Sequence, residues 1–218
     1  MTIDQFFPVW DQLAPQQREL ISASAASRTV SRGTLLHSGS ADCVGLFLVR
    51  AGQLRAFILS DEGKEVTLYR LFSRDICLFS GACMFSQLSF DIHVEAEQDS
   101  LLWVIPPTVY QQLMERSAPL ANFTNQLLSG RFSEVMWLLD QILFRRFDSR
   151  LAAFLLEESA IQGTDDLSIT HERIARHLGS AREVVTRMLK YFQSEGMVSL
   201  SRGTVRLTDR AALSALAG

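Results

Sequence analysis

The stretch THERIARHLGSAREVVTRMLKYFQSEG, residues 170–196, decides the fold of the C-terminal part of this chain. Thr170 is a typical N-cap for the helix HERIARHL, because its hydroxyl can accept a hydrogen bond from a free amide of the first turn. Gly179 breaks this helix, and SAREVVTRMLKYFQSEG forms a second one. Two helices joined by a short turn that contains glycine are typical of a helix-turn-helix.

The segments on either side complete this module. MVSLSRGTVRLTD, residues 197–209, predicts a β-hairpin that turns at Arg202 and Gly203 and supplies a wing. Upstream, RLAAFLLEES reads as a helix that either Asp148 or Ser149 can cap, and the polar loop IQGTDDLSI follows it. We therefore expect a winged helix-turn-helix domain over residues 148–218.

The second helix of the pair carries a polar face with the chemistry of base recognition. In a helix that lies in the major groove, Arg182 and Arg187 can each donate two hydrogen bonds to a guanine. Glu183 can accept from a cytosine amino group, and Thr186 can contact a thymine methyl or a phosphate. A carboxylate near a polyanion is repelled unless it meets a base donor, so Glu183 favours sequence reading. The alternative is a solvated helix with a Glu183–Arg187 pair, which stabilises by only about 0.2–0.5 kcal/mol.

The charge distribution also favours a nucleic-acid partner. The chain has 21 basic and 24 acidic side chains and a net charge of −3, yet residues 170–206 hold seven basic against three acidic ones. A locally basic module within a mildly acidic chain is typical of a DNA-binding domain. The residues predicted to contact double-stranded DNA are Thr170, Ser180, Arg182, Glu183, Thr186, Arg187, Lys190 and Arg202.

The N-terminal half reads as short strands separated by turns. The runs are RTVSRGTLL, VGLFLVRA, QLRAFIL, EVTLYRLF, DIHVEAE and SLLWVI. Many short strands at about ten-residue spacing predict a sandwich or jelly-roll barrel. After Pro106 and Pro107 the spacing of the apolar residues becomes that of a helix, which predicts a short helix at residues 110–115. The expected class is α+β: an N-terminal β jelly-roll barrel, a long helix and a C-terminal winged helix-turn-helix.

The long helix, from about Pro119, carries an apolar seam at heptad spacing. Such a seam predicts a parallel pairing of two copies of the chain. The predicted dimer interface contains Leu128, Phe132, Val135, Leu139 and Ile142. The alternative is that the helix only packs on its own barrel. We assign residues 1–118 to a sensory barrel, 119–147 to a dimerisation helix and 148–218 to the DNA-binding domain.

Other classes of protein fit the composition less well. No apolar run approaches the roughly 20 residues of a membrane span, and the first twenty residues lack a signal-peptide pattern, so we expect a cytoplasmic protein without membrane contact. A metal-dependent enzyme of the cupin type needs clustered histidine and carboxylate ligands. The barrel region offers only His37 and His93, so an enzyme is not expected and no metal is assigned.

With these motifs in place, the chain resembles the Crp/Fnr family of dimeric bacterial transcription regulators over nearly its whole length. IARHLGSAREVVTRMLKYFQSEGMV is similar to the family's recognition module, whose arginine-glutamate pair and following arginine fall on Arg182, Glu183 and Arg187. RGTLLHSGSADCVGLFLVRAGQLRAFILSDEGKEVTLYRL is similar to its cyclic-nucleotide-binding-like barrel. The resemblance implies a homodimer, a palindromic site with TGA or GTGA half-sites, RNA polymerase as a partner, and control by an effector.

The resemblance does not extend to cyclic AMP as that effector. Members that bind cyclic AMP have a glycine-glutamate pair and then an arginine-serine pair that grips the phosphate. This sequence has Arg74 and Asp75 in place of the first pair, and Phe90 and Asp91 in place of the second. An anionic phosphate would meet carboxylates there, so the sequence argues against cyclic AMP.

The effector is therefore unknown, and the residues offered for it are Cys77, Phe79, Cys83, Met84 and His93. CLFSG is similar to the haem-ligand segment of the carbon monoxide-sensing members, with Cys77 on the cysteine and Phe79 in place of the histidine, so haem would need His93 or His37 as second ligand. Redox pairing of Cys77 with Cys83 is a second interpretation, and a plain apolar core is a third.

Overall fold

The computed structural model describes residues 2–39, 44–84 and 91–218, without the side chains of residues 82–84. The chain forms two compact units, one made of Met1–Leu59 and Leu68–Val135 and the other of Ser60–Thr67 and Met136–Gly218. The functional division at residues 118 and 147 stays a prediction.

The first part of the chain is a β-sandwich preceded by a short helix. Two 3-10 turns, Ile3–Phe6 and Trp10–Gln12, lead into α1 (Pro15–Ser24). The strands are β1 (Ala26–Val30), β2 (Leu35–Ser38), β3 (Leu46–Ala51), β4 (Leu54–Leu59), β5 (Glu65–Leu71), β6 (Ile76–Cys77), β7 (His93–Ala96) and β8 (Ser100–Ile105). They form two four-stranded sheets, in the orders β1-β8-β3-β6 and β2-β7-β4-β5. The predicted jelly-roll barrel is confirmed.

Strand alternation places one face of each sheet in a shared core. Leu54 and Ala56 of β4 pair with Ala96 and Val94 of β7, and all four side chains are buried. The single run predicted over RTVSRGTLL is two strands, because Gly33 takes a left-handed φ of 82° and donates its amide to the Ala96 carbonyl at 2.7 Å. Its conformation ends β1 and redirects the chain into β2.

Two helices follow the barrel. α2 (Pro107–Arg116) and α3 (Ala118–Phe144) share a second core, in which Tyr110 and Leu120 are fully buried. The Tyr110 hydroxyl lies 2.8 Å from the hydroxyl of Thr124, which donates to the Leu120 carbonyl at 2.9 Å. This bond satisfies a buried polar pair and joins α2 to the first half of α3.

The second half of α3 has an exposed apolar stripe. Three residues of the predicted seam are exposed: Phe132 by 65%, Leu139 by 44% and Ile142 by 39%. Leu128 and Val135 are half-buried, with Leu128 in contact with the barrel core. Since i and i+4 residues share one face of a helix, the exposed Met136 and Leu143 extend the stripe of Phe132 and Leu139.

The C-terminal part is a winged helix-turn-helix. Its elements are α4 (Phe147–Gln162), β9 (Asp166–Ser168), α5 (His171–Leu178), α6 (Arg182–Ser194), β10 (Val198–Ser201), β11 (Thr204–Leu207) and α7 (Arg210–Ala217). The strands form one antiparallel sheet in the order β10-β11-β9. Helices and sheet enclose a single apolar core that includes Leu155, Ile174, Leu189 and Val205. The predicted hairpin is therefore confirmed.

Two local predictions in this part were wrong. Neither Asp148 nor Ser149 caps α4, because the helix begins one residue earlier, at Phe147. The Asp148 carboxylate instead accepts from the Ser149 amide at 2.9 Å and pairs with Arg146 at 2.9 Å. The polar loop predicted after α4 contains β9, which pairs with β11.

Candidate functional site

The turn between α5 and α6 forms as its sequence predicts. The Thr170 hydroxyl accepts a hydrogen bond from the Arg173 amide at 3.2 Å and caps α5. Gly179 takes a left-handed φ of 63°, and the Ser180 amide then donates to the Ala175 carbonyl at 3.0 Å. Ser180 itself is half-buried at the start of the turn. This geometry fixes the direction in which α6 leaves α5.

One face of α6 packs into the core of its domain, which leaves the opposite face at the surface. Val185, Leu189 and Phe192 are fully buried in the domain core. The opposite face carries the five polar side chains predicted from the sequence, and together they line one shallow recess of about 480 Å³, formed by Arg182, Glu183, Thr186, Arg187 and Lys190. All but Thr186 are exposed. The structure thus gathers the predicted base-reading residues on one surface.

Thr186 is held by two hydrogen bonds within the protein. Its hydroxyl donates to the Arg182 carbonyl, one turn earlier, at 2.8 Å. It also lies 2.9 Å from Nδ1 of His171, the first residue of α5. No role was predicted for His171 from the sequence, although it stands directly after Thr170, a predicted DNA contact, at the start of α5.

A second recess adjoins the first, between the starts of α5 and α6 and the wing. It also measures about 480 Å³ and is lined by Ile169, Thr170, His171, Glu172, Arg182, Ser201, Arg202, Gly203 and Thr204. The predicted contact residues Thr170 and Arg202 therefore lie around one hollow with Arg182. Burial, and then the charge of Arg182, lower the pKa of His171.

Some of the local positive charge is neutralised by the protein itself. Arg206 of β11 forms two hydrogen bonds to Asp166, at 2.5 and 3.0 Å, and the hydrogen bond from Arg206 lowers the pKa of Asp166. Arg210 forms a single hydrogen bond to Asp165. These pairs tie β9 to β11 and α7, so the positive charge beside the two recesses comes chiefly from Arg182, Arg187, Lys190 and Arg202.

The barrel holds the residues predicted for the effector. Cys77, at the end of β6, is fully buried in a core that includes Phe47, Tyr69 and Phe79. Burial raises the pKa of the Cys77 thiol, and hydrogen bonds from Ser80 only partly oppose this. A thiol in this state is neutral at pH 7 and reacts poorly.

We expect Cys77 to resist alkylation in the native protein. Iodoacetamide at pH 7.5 should leave the Cys77 peptide unmodified over a period that fully modifies it in guanidinium chloride, because the native thiol is buried and protonated. Peptide mass mapping measures both fractions. Native labelling at the denatured rate would show an accessible thiolate and return Cys77 to the redox interpretation.

His93 faces away from this core. In β7, Val94 enters the core, while the His93 ring stacks on Phe57 at a centroid distance of 5.2 Å and its Nδ1 lies 3.3 Å from the Ser38 hydroxyl. Phe79, in place of the second haem ligand, is a core residue. The described part of the chain therefore does not fit a haem site built from Cys77 and His93. The side chains of Cys83 and Met84 lie outside the described residues.

Comparison with known proteins decides the family. Residues 149–216 match the model of the Crp-like helix-turn-helix domain, and residues 27–117 match that of the cyclic nucleotide-binding domain. A solved structure from Eubacterium rectale ATCC 33656, assigned to the Crp/Fnr family of transcriptional regulators, is 52% identical, with a TM-score of 0.95 over 97% of this chain and 98% of that one. The chain belongs to the Crp/Fnr family.

Two curated relatives span most of this Crp/Fnr chain. The cyclic AMP receptor protein of Thermus thermophilus is 28% identical over 211 residues, 96% of each chain. The transcriptional activator protein anr of Pseudomonas aeruginosa is 26% identical over 199 residues, 88% of this chain and 80% of the relative. In the described part of the structure, no helix is long and apolar enough to cross a membrane.

Arg74 and Asp75, where this Crp/Fnr chain departs in sequence from the cyclic-AMP-binding members, form a tight turn. Arg74, where cyclic-AMP-binding members have glycine, takes a positive φ of 82°, and its amide donates to the Val49 carbonyl at 2.9 Å. The Asp75 carboxylate accepts from the Phe72 amide at 2.8 Å and closes its own turn. Phe90 lies outside the described residues. Within residues 2–39, 44–84 and 91–218, no group of three potential metal ligands is found.

Proposed function

We propose that this regulator is a homodimer that reads a palindromic DNA site through α6 and is controlled by an effector of its barrel. The observation that supports this most directly is the recess of α6, where Arg182, Glu183 and Arg187 line one outward surface. A carboxylate between two guanidinium groups suits the edge of a G·C pair, which offers acceptors on guanine and a donor on cytosine.

The predicted contact residues divide into two roles at a TGA or GTGA half-site. Arg182 and Arg187 bind guanines, and Glu183 accepts from the cytosine opposite one of them. Lys190, Thr170, Ser180 and Arg202 contact phosphates and position the module. Arg202 lies at the tip of the wing, beside the hollow that Thr170 and Arg182 also line.

The exposed stripe of α3 supports the homodimer. Phe132 and Leu139, with Met136 and Leu143, leave an apolar surface on one face of a helix of 27 residues. Pairing of two such helices about a two-fold axis would present two copies of α6 to a palindrome, whose half-sites in dimeric helix-turn-helix proteins lie about 34–36 Å apart. RNA polymerase is the proposed further partner, and the cytoplasm, where bacterial DNA lies, the proposed location.

We expect selection from a randomised duplex library to yield a palindrome, with an affinity that depends steeply on salt. If six or more phosphates are contacted, raising salt from 50 to 200 mM should weaken binding about a thousandfold or more. Fluorescence anisotropy on the selected duplex, at fixed pH, measures this slope. Recovery of no common sequence, with binding equally weak on all duplexes, would contradict the proposed function.

A further inference from the structure

We infer that His171 is a positioning residue that links DNA binding to the uptake of a proton: its Nδ1–H holds Thr186, and protonation turns its Nε2 into a donor for a DNA phosphate. The inference rests on the proposed function, because it needs DNA to lie against α6. It assigns a role to a residue outside the base-reading face, and it predicts a pH dependence that this face alone does not give.

The hydrogen-bond pattern determines where the neutral imidazole carries its proton. The Thr186 hydroxyl has a single proton, and it donates this proton to the Arg182 carbonyl at 2.8 Å. At the 2.9 Å contact with His171, Thr186 must therefore accept, so Nδ1 is the protonated nitrogen. Nε2 of the neutral ring is then a bare acceptor, and the described residues give it no hydrogen-bond partner.

The position of the ring explains why this matters for DNA. His171 lines the hollow between α5, α6 and the wing, together with the proposed phosphate contacts Thr170 and Arg202. A bare Nε2 repels a phosphate oxygen there, whereas a protonated Nε2 donates a charge-assisted hydrogen bond to it. Uptake of one proton by each subunit thus replaces a repulsive contact with an attractive one.

The surrounding charges set the direction of the effect. The groups facing His171 are Glu172 on its own helix, Arg182 and Thr186 on α6, and Arg202 on the wing. Without DNA, burial and Arg182 lower the pKa of His171, so the ring is neutral at pH 7. A bound phosphate adds negative charge and raises that pKa. Affinity is then highest below the pKa of the free protein and is lost as pH rises through the pKa of the complex.

The same bonds give His171 its positioning role. α6 begins at Arg182 after Ala181, which provides no side-chain cap. Thr186, one turn later, joins the Arg182 carbonyl to His171, which lies at the start of α5. This chain of contacts orients the first turn of α6, from which Arg182 and Glu183 project.

Four proteins test both parts of the inference: wild type, His171→Asn, His171→Ala and His171→Arg. Asparagine keeps a donor near the place of Nδ1 but cannot take up a proton, and arginine carries a permanent charge. Anisotropy on the selected palindrome from pH 5.5 to 8.0, at constant ionic strength, should show wild-type affinity rising up to about tenfold per subunit as pH falls around the ordinary histidine value of about 6.5.

The variants separate the two roles. His171→Asn should match wild type at pH 8.0 and lose the His171-dependent rise, His171→Arg should bind tightly at every pH, and His171→Ala should be weaker throughout. Nuclear magnetic resonance titration of the His171 ring should show a higher pKa with DNA bound. Superimposable pH profiles for wild type and His171→Asn would overturn this inference and leave the proposed function standing. Failure of the wild type to prefer a palindrome at any pH would overturn the proposed function.

Discussion

Arg187→Ala will weaken binding to the preferred palindrome by about 1–3 kcal/mol per half-site and will relax discrimination at one guanine. Arg187 is exposed on the recess of α6, one turn after Glu183. A bidentate bond from a guanidinium group to guanine O6 and N7 is specific, and alanine leaves both acceptors without a partner. The loss of affinity should therefore be larger on the preferred palindrome than on other duplexes.

A matched comparison with Lys190→Ala gives this prediction its control. Lys190 lines the same recess, and we propose that it contacts phosphate, so its loss should weaken all duplexes alike and reduce the salt slope by about 1 for each half-site. Competition binding against single-base variants of the palindrome measures discrimination for both proteins. If Arg187→Ala weakens every duplex equally, Arg187 contacts only phosphate and the proposed reading of guanine is wrong.

The double variant Phe132→Glu/Leu139→Glu will be monomeric at concentrations where the wild type is dimeric, with a dimer dissociation constant at least about a hundredfold higher. Both side chains are exposed on one face of α3, by 65% and 44%. In a two-fold interface each new carboxylate would meet its own copy in an apolar contact, where an unpaired charge is strongly unfavourable. Sedimentation velocity over a range of concentrations measures the shift.

Charge added elsewhere on the same helix distinguishes an interface effect from a general one. Gln141→Glu adds a carboxylate about 180° around α3 from Phe132 and should leave the dimer intact. Circular dichroism should show equal helix content in both variants. A Phe132→Glu/Leu139→Glu protein that remains dimeric would place the interface elsewhere on the chain.

Local sequence chemistry predicted the parts of the fold that depend on a few neighbouring residues. Thr170, Gly179 and the Arg202–Gly203 turn each act within four residues of the chain, and each forms as expected. The predicted start of α4 was wrong, because an aspartate that can cap a helix is also favourable within its first turn, where Asp148 lies. β9 was missed because a strand of three residues gives little periodicity, and its pairing with β11 is a long-range contact.

The sites depended more on contacts that spacing cannot reveal. Heptad spacing identified a stripe on α3, but both sides of this helix are apolar, so the sequence could not tell that Leu128 contacts the barrel while Phe132 is exposed. The contact of His171 with Thr186 joins residues 15 positions apart on different helices. The burial that raises the pKa of Cys77 also comes from strands distant in sequence.

The uncapped start of α6 has a consequence for the dynamics of the module. Thr170 and Asp209 accept hydrogen bonds that close the first turns of α5 and α7, whereas Ala181 offers α6 no such bond. At the corresponding position of α6 the Val184 amide donates only to the Ala181 carbonyl, at 3.0 Å, so we expect its hydrogen to exchange with solvent faster than those of Arg173 and Ala212, which a side-chain oxygen holds. Arg182 thus begins a turn that has no side-chain cap, and we expect bound DNA to slow amide exchange there as well as to engage the side chain.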